Sequence, residues 1–228
     1  MENQFQREEL LIGKDGLEKI QKSKVIVYGI GGVGSSIVEG LVRAGVGHIV
    51  LVDFDTIDIT NINRQIHALH SSVGKKKIIA MKERVLDINP NIKIEVYDSR
   101  EDSSFEEESL IDNTFSYVID AVDTLSSKIK IIEKAKKENV PIISAMGVGN
   151  RLDCFKLEIA DISKTSMCPL AKRVRKELKN KGIKKVKVLY SKEETIKHEN
   201  KNIIGSISYM PSIAGLMIAG EVIRDLIQ

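Results

Sequence analysis

Apolar and polar positions along the chain alternate between two periods. Short apolar runs bounded by glycine or a polar cluster predict strands at Lys24–Tyr28, His48–Val52, Ile92–Tyr97, Ser116–Ala121, Val140–Ala145 and Arg151–Ile162. Between them, apolar residues recur at helical spacing. Ile37, Val38, Leu41 and Val42 mark a helix over Ser35–Ala44, and Ile78, Ile79, Met81, Val85 and Ile88 mark one over Lys75–Ile88. Further helices are expected over Glu101–Ile111, an acidic solvated one, and over Leu125–Glu138. A polar, helical lead-in fills the first 21 residues, with Leu10, Leu11, Ile12, Leu17 and Ile20 as its apolar contacts. The chain closes on a strand or loop at Ile203–Tyr209 and a buried helix from Pro211 to Ile227, and Ser191–Lys201 reads as a mobile polar loop. Strands alternating with helices predict an α/β fold: a Rossmann-like, mostly parallel sheet with helices on both faces, extended by C-terminal strands and a helix.

One stretch concentrates the chemistry. In KVIVYGIGGVG a buried strand runs into Gly29, Gly31, Gly32 and Gly34, a helix follows, and the next strand ends in Asp53. Glycines let a phosphate approach backbone N–H groups and allow positive φ. The helix N-terminus adds free donors and a partial positive charge, and a strand-tip acid can accept bonds from ribose hydroxyls. Strand, turn, helix and acid together predict a nucleotide site; the bland alternative is a tight turn with no ligand.

The segment after Asp53 is unusual for a dinucleotide dehydrogenase, which would run straight into a helix. Asp55, Asn61, Asn63, Arg64 and Gln65 instead crowd into a polar loop beside the phosphate turn. Arg64 can bind phosphate oxygens bidentately, whereas Asn61 and Asn63 also suit plain turn residues. Lys75, Lys76 and Lys77 are expected in the first turn of the next helix, where cations oppose its dipole; a phosphate partner or simple solvation accounts for them. Asp120 and Asp123 end the fourth strand at the expected switch point, where an ATP-bound Mg²⁺ would need oxygen ligands, and Asp123 can also cap the following helix. Arg7, ahead of the first strand, reads alone as either a solvated charge or a ligand contact.

Composition narrows the classes. The chain has 228 residues, 42% hydrophobic and 29% charged, with a net charge of +3, which suits one domain. We divide it into a nucleotide-binding half, 1–150, and a substrate or dimer half, 151–228. Two cysteines, Cys154 and Cys168, make neither a disulfide framework nor a CxxC pair, and no signal-peptide core opens the chain, so a reducing cytoplasm is expected. Cys154 is read as a strand core residue and Cys168 as an exposed one. The uncharged run 202–220 has the length of a membrane span but is broken by Gly205, Pro211 and Gly215. KRVRKELKNKGIKKVK, residues 172–187, carries nine basic residues against one acid. It suits a nucleic-acid backbone, through Lys172, Arg173, Arg175, Lys176 and Lys179, or else a solvated helix. The four histidines form no ligand pattern; His67 and His70 read as surface residues or as supports of the site.

At GIGGVG, DFD, TNINRQIHAL, VGKKK and DAVDT the chain resembles the adenylyltransferases of the ubiquitin-activating superfamily, over Phe5 to Leu226. Three segments, 60–69, 160–179 and 205–223, are most similar to the tRNA threonylcarbamoyladenosine dehydratases, which cyclise the threonylcarbamoyl group on an adenosine beside the anticodon, using ATP. That resemblance implies an adenylate-forming enzyme acting on tRNA, with ATP and Mg²⁺. It places Gly29, Gly31, Gly32 and Gly34 around the ATP and Asp53 on its ribose. It puts Asn61, Arg64 and Lys77 on the phosphates, Asp123 with the Mg²⁺ and Arg7 loosely at the γ-phosphate. We group Asp55 and Gln65 with the ATP-binding set, and Arg64, Lys77 and Asp123 as catalytic. A homodimer, with Arg64 reaching across its interface, is implied too. No zinc is expected, since the paired CxxC motifs of the thiamine and molybdopterin relatives are missing, and no placed cysteine suits thioester chemistry. The region from Lys187 to Asn202 is short compared with longer members. Activation of a ubiquitin-like sulfur carrier's C-terminus is the alternative; a nicotinamide oxidoreductase or a nucleotide sensor is the third reading.

Overall fold

A computed structural model describes residues 4–99, 110–200 and 203–228. Seven strands form one sheet in the order β3-β2-β1-β4-β5-β7-β6. These are β1 Lys24–Tyr28, β2 His48–Val52, β3 Lys93–Tyr97, β4 Tyr117–Asp120, β5 Ile142–Ala145, β6 Leu157–Asp161 and β7 Lys187–Ser191. Every pairing is parallel except β6 with β7. The described helices are α1 Gln6–Lys22, α2 Gly32–Arg43, α3 Lys77–Ile88, α4 Leu125–Lys137, α5 Pro169–Asn180 and α6 Tyr209–Ile227.

Side chains alternate across each strand, so β1 alone feeds two cores. Val25 and Val27 join Ile37, Leu41, Met81, Val85 and Ile218 beneath α2, α3 and α6. Ile26 and Tyr28 join Val50, Ile129, Ile132, Val174 and Leu178 beneath α4 and α5. A sheet buried on both faces explains why its strands are continuously apolar. Strand order reverses between β2-β1 and β4, so the carboxyl ends of β1 and β4 flank the crevice where such folds bind ligands.

Several expectations need correction. The stretch 187–191, expected to lie between a basic stripe and a loop, is β7, with Val188, Leu189 and Tyr190 buried. The expected strand over Arg151–Ile162 begins only at Leu157, because a 3₁₀ turn over Cys154–Lys156 is capped by Asp153. Cys154 therefore sits half-buried on that turn. Cys168 is a free thiol but, at 5% exposed, buried rather than solvent-facing, in the N-cap position of α5. α1 is kinked at Gly13, and this leaves Leu10 and Leu11 exposed while Leu17 and Ile20 reach the core. α6 begins two residues early, at Tyr209, and the stretch before it, expected as a strand or a loop, is a loop. The acidic helix over Glu101–Ile111 lies, but for its last two residues, outside the described residues; Ile111 is buried. Among the described residues no helix is long and apolar enough to cross a membrane.

Candidate functional site

A cleft of about 630 Å³ opens at the switch point. Its phosphate end is the β1–α2 turn. Gly29 holds φ at +81°, and a Cβ there would stand 2.8 Å from the carbonyl oxygen of Ala121. A Cβ on Gly34 would meet the carbonyl oxygen of Gly29 at 1.8 Å, so the first turn of α2 can lie against β1 only with glycine at that position. No side chain caps α2 and no acid occupies its first turn, so its free N–H groups face the cleft uncompensated.

Asp53 directly follows β2 and is 8% exposed. Its Oδ2 accepts the Ile30 N–H at 2.5 Å and its Oδ1 the Asp55 N–H at 2.8 Å. Two backbone donors fix the carboxylate and leave acceptor capacity for a ligand hydroxyl. His67 braces the same turn: its Nε2 lies 2.7 Å from the carbonyl oxygen of Ile30, to which it donates. Burial lowers the His67 pKa below the ordinary value, which favours the neutral ring.

The loop after Asp53 lines the facing wall. Asn61, Arg64, Gln65 and Lys77 all reach the cleft. Arg64 lies on its own loop, donating through Nη1 to the carbonyl of Thr60 and to Asn63 Oδ1, each at 2.8 Å. Asn61 is partly a turn residue, because its Oδ1 accepts the Asp58 N–H in a capping box over Ile59–Asn61. Asn63 donates to the carbonyl of Ser206 at 3.0 Å and so ties this loop to the segment before α6. Gln65 is 6% exposed, and its Oε1 is buried without a hydrogen-bond partner. A buried unpaired amide oxygen on a cleft wall calls for a donor from a ligand.

The three lysines are more constrained than the sequence implied. α3 starts at Lys77, with Lys76 as its N-cap, so only Lys77 occupies the first turn. Lys75 pairs with Glu83, and Lys76 with Asp98 and the Phe54 carbonyl. Lys77 alone of the three lines the cleft, 2.6 Å from Asp55.

Of the two strand-end acids, only Asp123 faces the cleft, and it is exposed. Asp120 is fully buried in an ion pair with Lys128 at 2.9 Å, and Ser144 bonds the same oxygen. It is unavailable to a metal and instead holds the Val122 N–H at the base of the turn that carries Asp123. Among the described residues no group of three or more His, Cys, Asp or Glu side chains could hold a metal ion. A single carboxylate still suits Mg²⁺, which keeps waters and takes phosphate oxygens. Asp123 does not cap α4: Thr124 occupies the N-cap position.

Arg7 is exposed on α1 and does not line the cleft. Arg175 is only half-exposed and its guanidinium is engaged: Nη1 donates to Thr165 Oγ1 at 2.6 Å and to the Thr165 carbonyl at 2.8 Å. Lys172, Arg173, Lys176 and Lys179 are exposed on α5. The far wall, Met146 to Gly149 with Leu170, Ile204 and Ser206, was not anticipated. Arg151 shapes it, donating through Nη1 to the carbonyl of Gly147 at 2.6 Å. Its signal was the arginine closing a glycine-rich GVGNR loop; for Ile204 and Ser206, far along the chain, there was none.

A glycine turn, an uncapped helix N-terminus and a strand-tip acid meeting at the switch point of a doubly wound sheet define a nucleotide-binding α/β protein. The chain belongs to the ThiF family, which it matches over residues 5–228. It is 43% identical to the tRNA threonylcarbamoyladenosine dehydratase of Bacillus subtilis (strain 168), over 100% of this chain and 96% of that one. The protein of the same name from Escherichia coli (strain K12) is 37% identical over 75% of this chain and 63% of its own length, less than two thirds of that relative. A crystal structure of the E. coli tRNA N6-threonylcarbamoyladenosine dehydratase in complex with ATP superposes with a TM-score of 0.87 at 30% identity, covering 98% of this chain and 93% of that one.

Proposed function

We propose that the protein is an ATP-dependent tRNA threonylcarbamoyladenosine dehydratase, which activates a carboxylate as its adenylate. The carrying observation is the cleft itself. Gly29, Asp53, Arg64, Gln65, Lys77 and Asp123 line one cavity in a chain 43% identical, end to end, to a Bacillus subtilis relative of that name.

A carboxylate is a poor electrophile because oxide would have to leave. One carboxylate oxygen of the threonyl group therefore bonds to the α-phosphorus of ATP, and the bond from that phosphorus to the bridging oxygen breaks, releasing pyrophosphate. The carbamoyl side of the same substrate then bonds to the carboxyl carbon. The carbon–oxygen bond to the adenylate breaks, AMP leaves with the former carboxylate oxygen, and one proton passes to solvent. The net change is loss of water, matched by hydrolysis of ATP to AMP and pyrophosphate.

The residues orient and neutralise. The α2 N-terminus and the Gly29–Gly34 turn bind phosphate, Asp53 accepts the ribose hydroxyls, and Gln65 Oε1 takes a donor from the nucleotide. Asn61 contacts the phosphates beside them. Asp55 holds the Lys77 ammonium at the rim, and Arg64, released from Thr60, reaches the phosphates; together they offset the charge that builds on phosphorus. Asp123 holds Mg²⁺, which when bound would neutralise phosphate charge. The exposed cations Lys172, Arg173, Lys176 and Lys179 hold the tRNA. A homodimer is part of the proposal: Leu10, Leu11 and Phe155, 83%, 87% and 96% exposed, are apolar groups that a second copy would cover. Arg64 then serves its own or the partner's cleft, and Arg7, which does not line its own cleft, serves the γ-phosphate only from that second copy.

The test is incubation with ATP, Mg²⁺ and tRNA carrying threonylcarbamoyladenosine. AMP release should match, mole for mole, the appearance of a nucleoside lighter by one water. Adenylation driven by a small carrier protein and not by tRNA would overturn the reading, and so would tight NADH binding without ATP binding.

A further inference from the structure

Away from the cleft, a second cavity of about 540 Å³ lies between the C-terminal half of α5, the 3₁₀ turn Ile162–Lys164 and the loop Gly182–Lys185. Its floor is apolar, from Ile162, Leu178 and Ile183, and its rim sets Lys179, Lys184 and Lys185 against one acid, Asp161, whose Oδ1 accepts the Ser163 N–H. We propose that this cavity receives a nucleobase of the substrate RNA further along the strand from the modified nucleoside, with the adjoining phosphates on the rim lysines. The proposal deepens the dehydratase reading above and rests on it.

Three observations carry it. The first is shape with charge: RNA readers splay an unstacked base into a pocket, against an aromatic or guanidinium plane, with cations along the backbone. Arg175 lines the cavity, and its guanidinium is already immobilised by the two oxygens of Thr165, so a stacking plane is preformed. The rim lysines Lys179, Lys184 and Lys185 make no ion pair among the described residues, whereas nearby Lys181 is spent on Glu133 at 2.9 Å.

The second is backbone strain. Lys185 holds φ at +56°, a region that disfavours a side chain with a Cβ, and its carbonyl accepts the Lys136 ammonium at 2.8 Å. The strained loop is one wall of the cavity.

The third is position. α5 joins the two sites: Leu170, in its first turn, lines the catalytic cleft, and Lys179, in its last, lines the second cavity. Nine residues at 1.5 Å each separate them by roughly 13 Å along the helix axis. A strand with its modified adenosine in the cleft would follow the exposed cations Lys172, Arg173 and Lys176 to reach it.

Two variants test this without touching the ATP machinery. Ser163→Trp fills the mouth of the cavity from an exposed position, and the pair Lys184→Glu with Lys185→Glu reverses the rim without touching the cations already assigned to the tRNA. With substrate tRNA, each should raise the tRNA KM about tenfold. The KM for ATP should not change, and circular dichroism melts should match the parent. Only the charge variant should lower the salt slope of tRNA binding. Unchanged tRNA KM in both variants, with the parent active, would overturn the nucleobase site and leave the dehydratase reading standing; a cavity used by a protein partner gives that same result. A parent that makes no AMP with tRNA would instead overturn the reading on which the site rests.

Discussion

Lys77 Nζ stands 2.6 Å from Asp55 Oδ2, but the two ends of this pair are unequally buried: the lysine side chain is 7% exposed and the aspartate 47%. The asymmetry separates the two alanine substitutions. Lys77→Ala leaves a carboxylate that water can reach, so the fold should be little affected. The charge facing the phosphates is lost, and AMP formation should fall about 10²–10³-fold. Asp55→Ala strands a buried ammonium, so its cost to stability should be the larger, about 1–3 kcal/mol. Urea midpoints and initial rates on both variants decide it; equal destabilisation would show that burial does not control the pair.

Lys128 and Asp120 are both fully buried, 2.9 Å apart, directly under the turn that bears Asp123. Removing one member leaves an uncompensated charge in the core. Lys128→Met should therefore cost about 3–5 kcal/mol. The double variant Lys128→Met with Asp120→Asn should recover much of that loss, because no bare charge remains. A double variant as unstable as the single would refute the account.

Which features the sequence disclosed follows from how far apart the interacting residues lie. The whole unit from Lys24 to Asp53 interacts with itself: Gly34 packs on Gly29, and Asp53 reaches Ile30 only 23 positions back. Local glycine spacing and apolar runs therefore sufficed to place β1, α2 and β2, although α2 takes in the end of the glycine turn by starting at Gly32. β7 stayed hidden because lysines flank a run of three apolar residues, and only pairing with β5 and β6 buries it. Asp120 and Asp123 look alike along the chain; the lysine eight positions after Asp120, folded inward, takes that acid out of the cleft. Arg175 looks like its neighbours on α5 until Thr165, ten residues earlier, claims its guanidinium. In each case the deciding partner lies on another element, where periodicity carries no information.

The buried imidazole of His67 makes stability depend on pH in a fixed direction. Desolvation, the largest influence, lowers its pKa below the ordinary 6.5, against the opposing bond to the Ile30 carbonyl. Near pH 6.5 the unfolded chain thus binds more protons than the folded one, and stability rises with pH. On acidification stability should begin to fall as the pH passes below about 6.5 and go on falling until the folded ring itself protonates. His48 is shifted the same way, also chiefly by burial, so the slope has two contributors. His67→Gln should flatten the fall of Tm between pH 7 and 5 only in part, and His67→Gln with His48→Gln should flatten it further. A slope unaltered by both would place the acid sensitivity elsewhere.

Arg175 and its neighbours on α5 should respond differently to removal. Lys172, Arg173 and Lys176 are exposed, while Arg175 bonds two oxygens of Thr165 and holds the turn after β6. If the exposed three neutralise RNA phosphates, replacing them together by glutamine should weaken tRNA binding across all sequences. The salt slope should drop by roughly 0.7–0.9 for each phosphate no longer neutralised, with Tm unchanged. Arg175→Gln should lower Tm, because Thr165 Oγ1 and the Thr165 carbonyl lose their donor in a buried setting, yet the slope should stay near that of the parent. Binding isotherms at several salt concentrations, read beside thermal melts, separate the two. A slope that falls with Arg175→Gln and not with the triple variant would reverse the assignment, making the inward arginine the phosphate ligand and the outward three a solvated face.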